Sequence, residues 1–379
     1  MEGKKLLSSI HLSNLLSYGE VVSLGLEPLN VLIGPNASGK SNLIDAVSLL
    51  AAAPRNLLAP FRDGGTVDDW LWKGDEVAWP ASVKVILDYE DFFMIYDLAF
   101  GAEEFRLQVV QEGLRSERGM FFQRSFGKIN VLYDRSDILE KIDPQQSVLS
   151  LIRNPIDYPQ LTYVSDKFGD IRLFRGWPVG RGNILRKPQN VNLPDDFLLE
   201  DGSNLGLILN DLQNRRVTKL LLLEKLRLVY AGIEDVTTKV QGGTIQIFFH
   251  EKGIDKPIPA ARLSDGILHY LCLLTILLHP EPPPLICIEE PEIGLHPDVI
   301  PHVADLLLDA SKRTQLIVTT HSETLVSRLS EVPESVVVCE RDDQGTHLRR
   351  LEPEKLRVWL DKYLLGELWR MGEIGGNRW

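Results

Sequence analysis

Two short clusters in this chain have the residue types and spacing to work on a phosphate. The first, Gly34-Pro35-Asn36-Ala37-Ser38-Gly39-Lys40-Ser41, fits G-x-x-x-x-G-K-[ST]. Its glycines let backbone N–H groups turn inward on phosphate oxygens, and a helix opening there adds its positive end. Lys40 would reach β- and γ-phosphates, Ser41 would ligate Mg²⁺, and the binding set extends to Asn42. The second cluster is Leu285-Ile286-Cys287-Ile288-Glu289-Glu290. Two adjacent carboxylates ending a buried strand are costly unless a cation or a catalytic task holds them. Glu289 would anchor the metal and Glu290 would orient or deprotonate an attacking water.

Two further motifs face the same chemistry. Ser264-Asp265-Gly266 opens a helix, and a serine with helix-start amides forms an anion site, although Ser264 as a plain helix cap explains the local sequence equally well. His321, in QLIVTTHSET, directly follows a buried strand. A histidine there is commonly structural, but one beside the carboxylate strand is placed to bond a γ-phosphate.

The elements that must position these groups are legible around them. Leu29 to Ile33 is a continuous apolar run feeding the glycine loop, and Leu43, Ile44, Val47 and Leu50 mark one face of the helix after it. LICIE, QLIVTT and SVVVCE read as further buried strands, with helices near 297–311 and 322–330 between them. Together they make one parallel sheet. Residues 54–80, with Trp70, Trp72 and Trp79, read as an ordered loop, and about 80–126 as antiparallel strands turning near Gly101, Gly113 and Gly119. The middle turns helical in SNLGLILNDLQ, capped by Ser203, and in VTKLLLLEKLRLVYAGI, followed by a hairpin around Gly242-Gly243. The expectation is a single α/β domain in two lobes. Residues 1–135 with 281–379 form the core, and 136–280 form an inserted helical lobe.

Composition narrows the field. The chain has 379 residues and a formal net charge of −12, which argues against indiscriminate wrapping of nucleic acid but leaves room for a local basic groove. The longest apolar run, near Leu268 to Leu278, falls short of the roughly 20 residues of a membrane span. The N-terminus carries no export pattern, and the three cysteines lie far apart without CxxC spacing. A reducing cytoplasm and no membrane partner are expected. Asp166 to Pro188 gathers Lys167, Arg172, Arg175, Arg181, Arg186 and Lys187 around Phe174 and Trp177. Such a run tracks nucleic acid, forms a solvated loop, or braces a nucleotide across a subunit boundary. Asp342 and Asp343 read as a hairpin turn rather than a nuclease metal site.

The ordered set GPNASGKS, LSDG, ICIEEPEIGLHP and VTTHS resembles the ABC-type ATPases of the RecF and SMC group. More narrowly it is similar to the stand-alone prokaryotic "AAA family ATPase" branch met in DNA-repair and phage-defence settings. QSVLS, LRKPQNVNLPDDFLLEDGSNLGLIL and LGELWRMGEIGG carry that closer likeness over nearly the whole chain. The resemblance implies a P-loop NTPase of ABC type with a mixed sheet and a helical lobe. It implies ATP and Mg²⁺, and a lobe-junction glutamine, Gln145 or preferably Gln146, touching metal and water. It also implies that Ser264, Asp265 and Gly266 face ATP on a second subunit. His321 would sense the γ-phosphate, and Pro291 to Leu295 would cross the interface. An ATP-gated homodimer driving a DNA-repair or anti-phage assembly is the expected function, with a separate effector, such as a nuclease, and DNA as partners. The alternatives are a scaffold restraining a toxin or nuclease, and a transporter ATPase subunit. About 220 residues between loop and signature suit the RecF-like group better than a transporter. The absence of long heptads excludes SMC-like coiled-coil arms.

Three residues depart from the resembled pattern. Glu289 stands for aspartate and Asp265 for glycine, so the Asp265 charge must point away or meet a cation. Ala37 replaces a common glycine, which is tolerable at negative φ.

Overall fold

The computed structural model describes residues 3–74, 80–125, 128–132, 136–140 and 142–376; Trp79 lies outside them. At its centre is a six-stranded sheet in the order Arg172–Phe174, Leu285–Glu289, Gln315–Thr319, Leu29–Ile33, Val336–Asp342 and Gly345–Arg350. The first five strands are parallel, and the last closes an antiparallel hairpin. Leu29–Ile33 and Gln315–Thr319 are buried at every residue, as a sheet covered on both faces demands.

Alternate residues of these strands enter two separate cores. Leu32, Cys287, Ile317 and Val337 join one, while Val31, Ile288, Val318 and Val338 join the other. On the first face lie helices Lys40–Ala52 and Pro159–Gly169 and an eight-stranded antiparallel sheet. That sheet contains the strands expected over about 80–126, here Ala81–Tyr89 through Gly119–Ser125, and adds Lys128–Leu132 and Ser136–Glu140. On the second face lie helices Leu205–Asn214, Arg216–Val229, Asp265–Leu277 and Ile300–Ala310. Strands Ile233–Gln241 and Thr244–Glu251 form the hairpin read from the sequence.

The lobe boundary expected at 135/136 does not match this packing. Helix Pro159–Gly169 packs in the same core as Lys40–Ala52, and Arg172–Phe174 pairs in parallel with Ile286–Ile288. Helix Pro159–Gly169 and strand Arg172–Phe174 therefore sit with the core. Helical patterning could not reveal that a three-residue strand completes the central sheet. The loop expected over 54–80 contains two short helices, Ala59–Asp63 and Val67–Trp70. Ser203 caps no helix; Asn204 precedes Leu205–Asn214 and ties the Leu199 amide and the Pro194 and Phe197 carbonyls.

Candidate active site

The phosphate loop joins Leu29–Ile33 to Lys40–Ala52 at the C-terminal end of the sheet, where parallel α/β sheets bind ligands. Gly39 takes φ 97°, and a Cβ there would collide with the Thr346 hydroxyl. Thr346 in turn bonds Ser17 Oγ at 2.7 Å and the Ser38 carbonyl at 3.0 Å. The loop is thus held from the closing hairpin. Lys40 is buried and donates to the carbonyls of Gly34 (2.8 Å) and Pro35 (2.9 Å). Burial lowers its pKa, opposed by nearby carboxylates that include Glu290 and Glu292. Asn36, Ala37 and Ser41 are exposed, whereas the Asn42 amide is committed to Ser17 at 2.7 Å. Ala37 has φ 65°, against the negative value expected of it, and the left-handed region costs a side chain about 1–2 kcal/mol.

The two carboxylates meet this loop across 248 residues of chain, where Ser41 Oγ donates to Glu289 Oε2 at 2.9 Å. Burial raises the Glu289 pKa, and the Ser41 bond and Arg175 oppose that shift. Glu290 carries φ 44°, a strained backbone held by its amide's bonds to the Thr319 carbonyl (3.0 Å) and hydroxyl (3.2 Å). Its Oε1 lies 3.7 Å from His321 Nε2. Burial and Lys40 depress the His321 pKa below 6.5, so the imidazole is neutral at pH 7. Glu292, which sequence reasoning did not single out, accepts from the Thr320 hydroxyl and the His321 amide, both at 2.7 Å. It ties the turn after the carboxylates to the histidine.

Ser264 caps helix Asp265–Leu277 through the Ile267 amide at 3.3 Å and is exposed. The Asp265 charge meets its cation in Arg186 at 2.6 Å and also accepts the Gly180 amide at 2.9 Å. That pairing lowers its pKa. Gly266 abuts the turn after the carboxylates, since a Cβ there would stand 2.6 Å from the Gly294 carbonyl oxygen.

Residues 29–327 match the family described as "AAA domain, putative AbiEii toxin, Type IV TA system". The chain belongs to this family. Among solved structures it is similar to an SMC head bound to the C-winged helix domain of ScpA, with TM-score 0.58 and 15% identity over 92% of this chain and 99% of that one. It is also similar to an SMC head with an extended coiled coil bound to the C-terminal domain of ScpA derived from Pyrococcus furiosus. There the TM-score is 0.56 with 15% identity, over 94% and 99% of the two chains. No curated protein matches. The protein is thus an AAA-domain protein by family, and its fold is that of an SMC head. Among the described residues the longest helix, Arg216–Val229, has 14 residues, and none is long enough to form a coiled-coil arm. None of the described helices is long and apolar enough to cross a membrane.

The glutamine expected at the lobe junction has no described hydrogen bond to the carboxylates. Gln146 is exposed in a turn before helix Pro159–Gly169, and its carbonyl accepts from Arg124. No described hydrogen bond links Gln145 or Gln146 to Ser41 or Glu289. The residue beside Glu289 is Arg175, which follows the edge strand Arg172–Phe174. Its guanidinium contacts Asp45 at 2.6 Å and Glu289 at 3.5 Å. In the sequence Arg175 was one of several arginines in a basic run, with nothing to single it out.

A metal and a triphosphate fit these residues. Ser38 Oγ and Glu289 Oε1 are buried without a hydrogen-bond partner, as atoms awaiting ligands would be. Among the described residues no cluster of His, Cys, Asp and Glu could hold a metal unaided. Mg²⁺ commonly takes one or two protein groups plus substrate phosphates, which Ser41 and Glu289 can supply.

Proposed function

We propose that this chain hydrolyses ATP with Mg²⁺ as an ATP-gated homodimer. The observation that carries the reading is the Ser41–Glu289 hydrogen bond, with Lys40, Glu290 and His321 around it. Mg²⁺, when bound through Ser41 and Glu289, would neutralise charge on the β- and γ-phosphates. Lys40 would leave the Gly34 and Pro35 carbonyls for those phosphates. Gly34, Asn36, Ala37, Ser38 and Gly39 would present amides to them, and the Asn42 side chain would brace the loop through Ser17. Glu290 would position or deprotonate the attacking water, and neutral His321 would donate to the γ-phosphate.

Ser264 is exposed at the start of its helix, which supports its reaching ATP on a second copy, with Gly266 keeping the helix close to the Gly294 turn. ATP would then join two subunits and hydrolysis would loosen them. Glu290→Gln should trap the ATP-bound dimer; unchanged mass by light scattering with and without ATP would end the dimer reading.

The assembly served is a DNA-repair or anti-phage one in the cytoplasm, with an effector on a separate chain. The basic run supports a DNA groove weakly. Arg172, Arg175 and Arg186 are bonded to the protein itself, although Arg175, like Arg181 and Lys187, remains exposed. The family description names a toxin–antitoxin system, which favours a second reading in which the ATPase restrains or acts as a toxin. ATP turnover with and without duplex and single-stranded DNA, at two salt concentrations, separates the two. Turnover that responds to DNA supports the first, and slow, unresponsive turnover supports the second.

A further inference from the structure

Arg175 stands where a divalent cation would compete with it. The edge strand runs parallel to the carboxylate strand with Phe174 opposite Ile288, so the next residue along, Arg175, falls beside Glu289. Glu289 divides its two oxygens: Oε2 accepts from Ser41 at 2.9 Å, while Oε1 has only the Arg175 guanidinium, at 3.5 Å and without a hydrogen bond. Asp45, one helical turn after Ser41, holds the other edge of the guanidinium at 2.6 Å. Resting on the reading that Glu289 is the metal carboxylate, we propose that Arg175 is a latch on the metal position. Its guanidinium neutralises Glu289 until Mg²⁺ with nucleotide displaces it.

The surroundings permit that displacement. A cleft of about 1220 Å³, lined in part by Asp45, Ser48, Arg172 and Gly176, opens beside the side chain. Gly176, the residue after Arg175, has φ 117° and open space where its Cβ would stand, so no side chain at that position wedges Arg175 in place. Asp45 keeps a displaced guanidinium within reach of the phosphate loop, and a guanidinium fork suits phosphate oxygens. The same segment carries Gly180 and Arg186, which hold Asp265. Metal occupancy at Glu289 is thereby linked along one short stretch of chain to the helix that Ser264 caps. Arg175 acts through Glu289 and is a positioning residue.

The test is a Mg²⁺ titration of fluorescent ATP-analogue binding to the full chain. Arg175→Gln is expected to lower the half-saturating Mg²⁺ concentration about tenfold, the low end of what a metal ligand's neighbour commands. In an Glu289→Gln background the same substitution should produce no shift, because the competed carboxylate charge is gone. A midpoint that stays put or rises, or an equal shift in the Glu289→Gln background, overturns the latch and leaves a mere brace between helix and strand. Wild type failing to bind the analogue at any Mg²⁺ concentration would overturn the nucleotide-site reading as well, so the two failures are distinguishable. Arg175→Met, of similar bulk, serves if the glutamine variant does not fold.

Discussion

The buried pair Glu112 and Arg124 offers a sharp test of what fastens the antiparallel sheet to the segment Asp143 to Val148. Both side chains are fully buried, with the guanidinium 4.0 Å from the carboxylate. Glu112 Oε1 accepts from the hydroxyls of Tyr96 (2.9 Å) and Ser147 (2.6 Å), and Oε2 accepts from the Val148 amide at 2.9 Å. Arg124 spends its donors on the carbonyls of Asp143 and Gln146. Glu112→Leu strands one buried charge and three donors at once. Removing one member of a buried pair typically costs about 3–5 kcal/mol, a large share of the roughly 5–15 kcal/mol that holds a domain folded. Glu112→Leu combined with Arg124→Met removes both charges. It should cost less than the sum of the singles by an amount within the roughly 0.5–3 kcal/mol range of coupled neighbours. Burial raises the Glu112 pKa above 4.5, so its contribution is fully present below 4.5 and is lost as pH rises through the folded-state value. The gap between wild type and Glu112→Leu should therefore narrow as pH rises. Urea unfolding followed by circular dichroism reads each quantity. A single-variant cost below about 1 kcal/mol, or strictly additive singles, would refute the reasoning.

Three other outcomes are expected. Ala37→Gly relieves a left-handed alanine worth about 1–2 kcal/mol but restores about 0.4–1 kcal/mol of unfolded-state freedom. The thermal midpoint should rise slightly, and a clear fall would count against the strain. His321 is depressed by burial and Lys40, so its neutral form is present above 6.5 and is lost only as pH falls through its lower folded-state value. Turnover should decline on that acid limb, and His321→Ala, with a lower rate, should lack it; an identical profile would remove His321 from the chemistry. Gly266→Ala would drive a Cβ to 2.6 Å from the Gly294 carbonyl and displace the start of its helix. ATP-dependent dimer mass should fall while fluorescent-nucleotide binding by the monomer persists, and an unchanged dimer would refute the contact's importance.

The phosphate loop and the carboxylate pair were legible because each is local. Gly34 to Ser41 needs only a strand before it and a helix after it, and Leu285 to Glu289 announces a buried strand by its own apolar run. Short-range sterics and periodicity decide such features, so the residue types around them suffice. The closing hairpin around Asp342 and Gly345 was readable for the same reason. What the chain's order concealed was proximity. Arg175 and Gln146 are both polar residues near a lobe junction, and only the pairing of Phe174 with Ile288 brings one of them to Glu289. Asp265 needed a cation, and nothing in its neighbourhood of sequence named Arg186, 79 residues earlier. Ala37 took a left-handed φ, which a residue's identity does not reveal, because the loop's path between strand and helix imposes it. Local chemistry wrote the motifs, whereas strand order and register chose which distant side chains would share a charge.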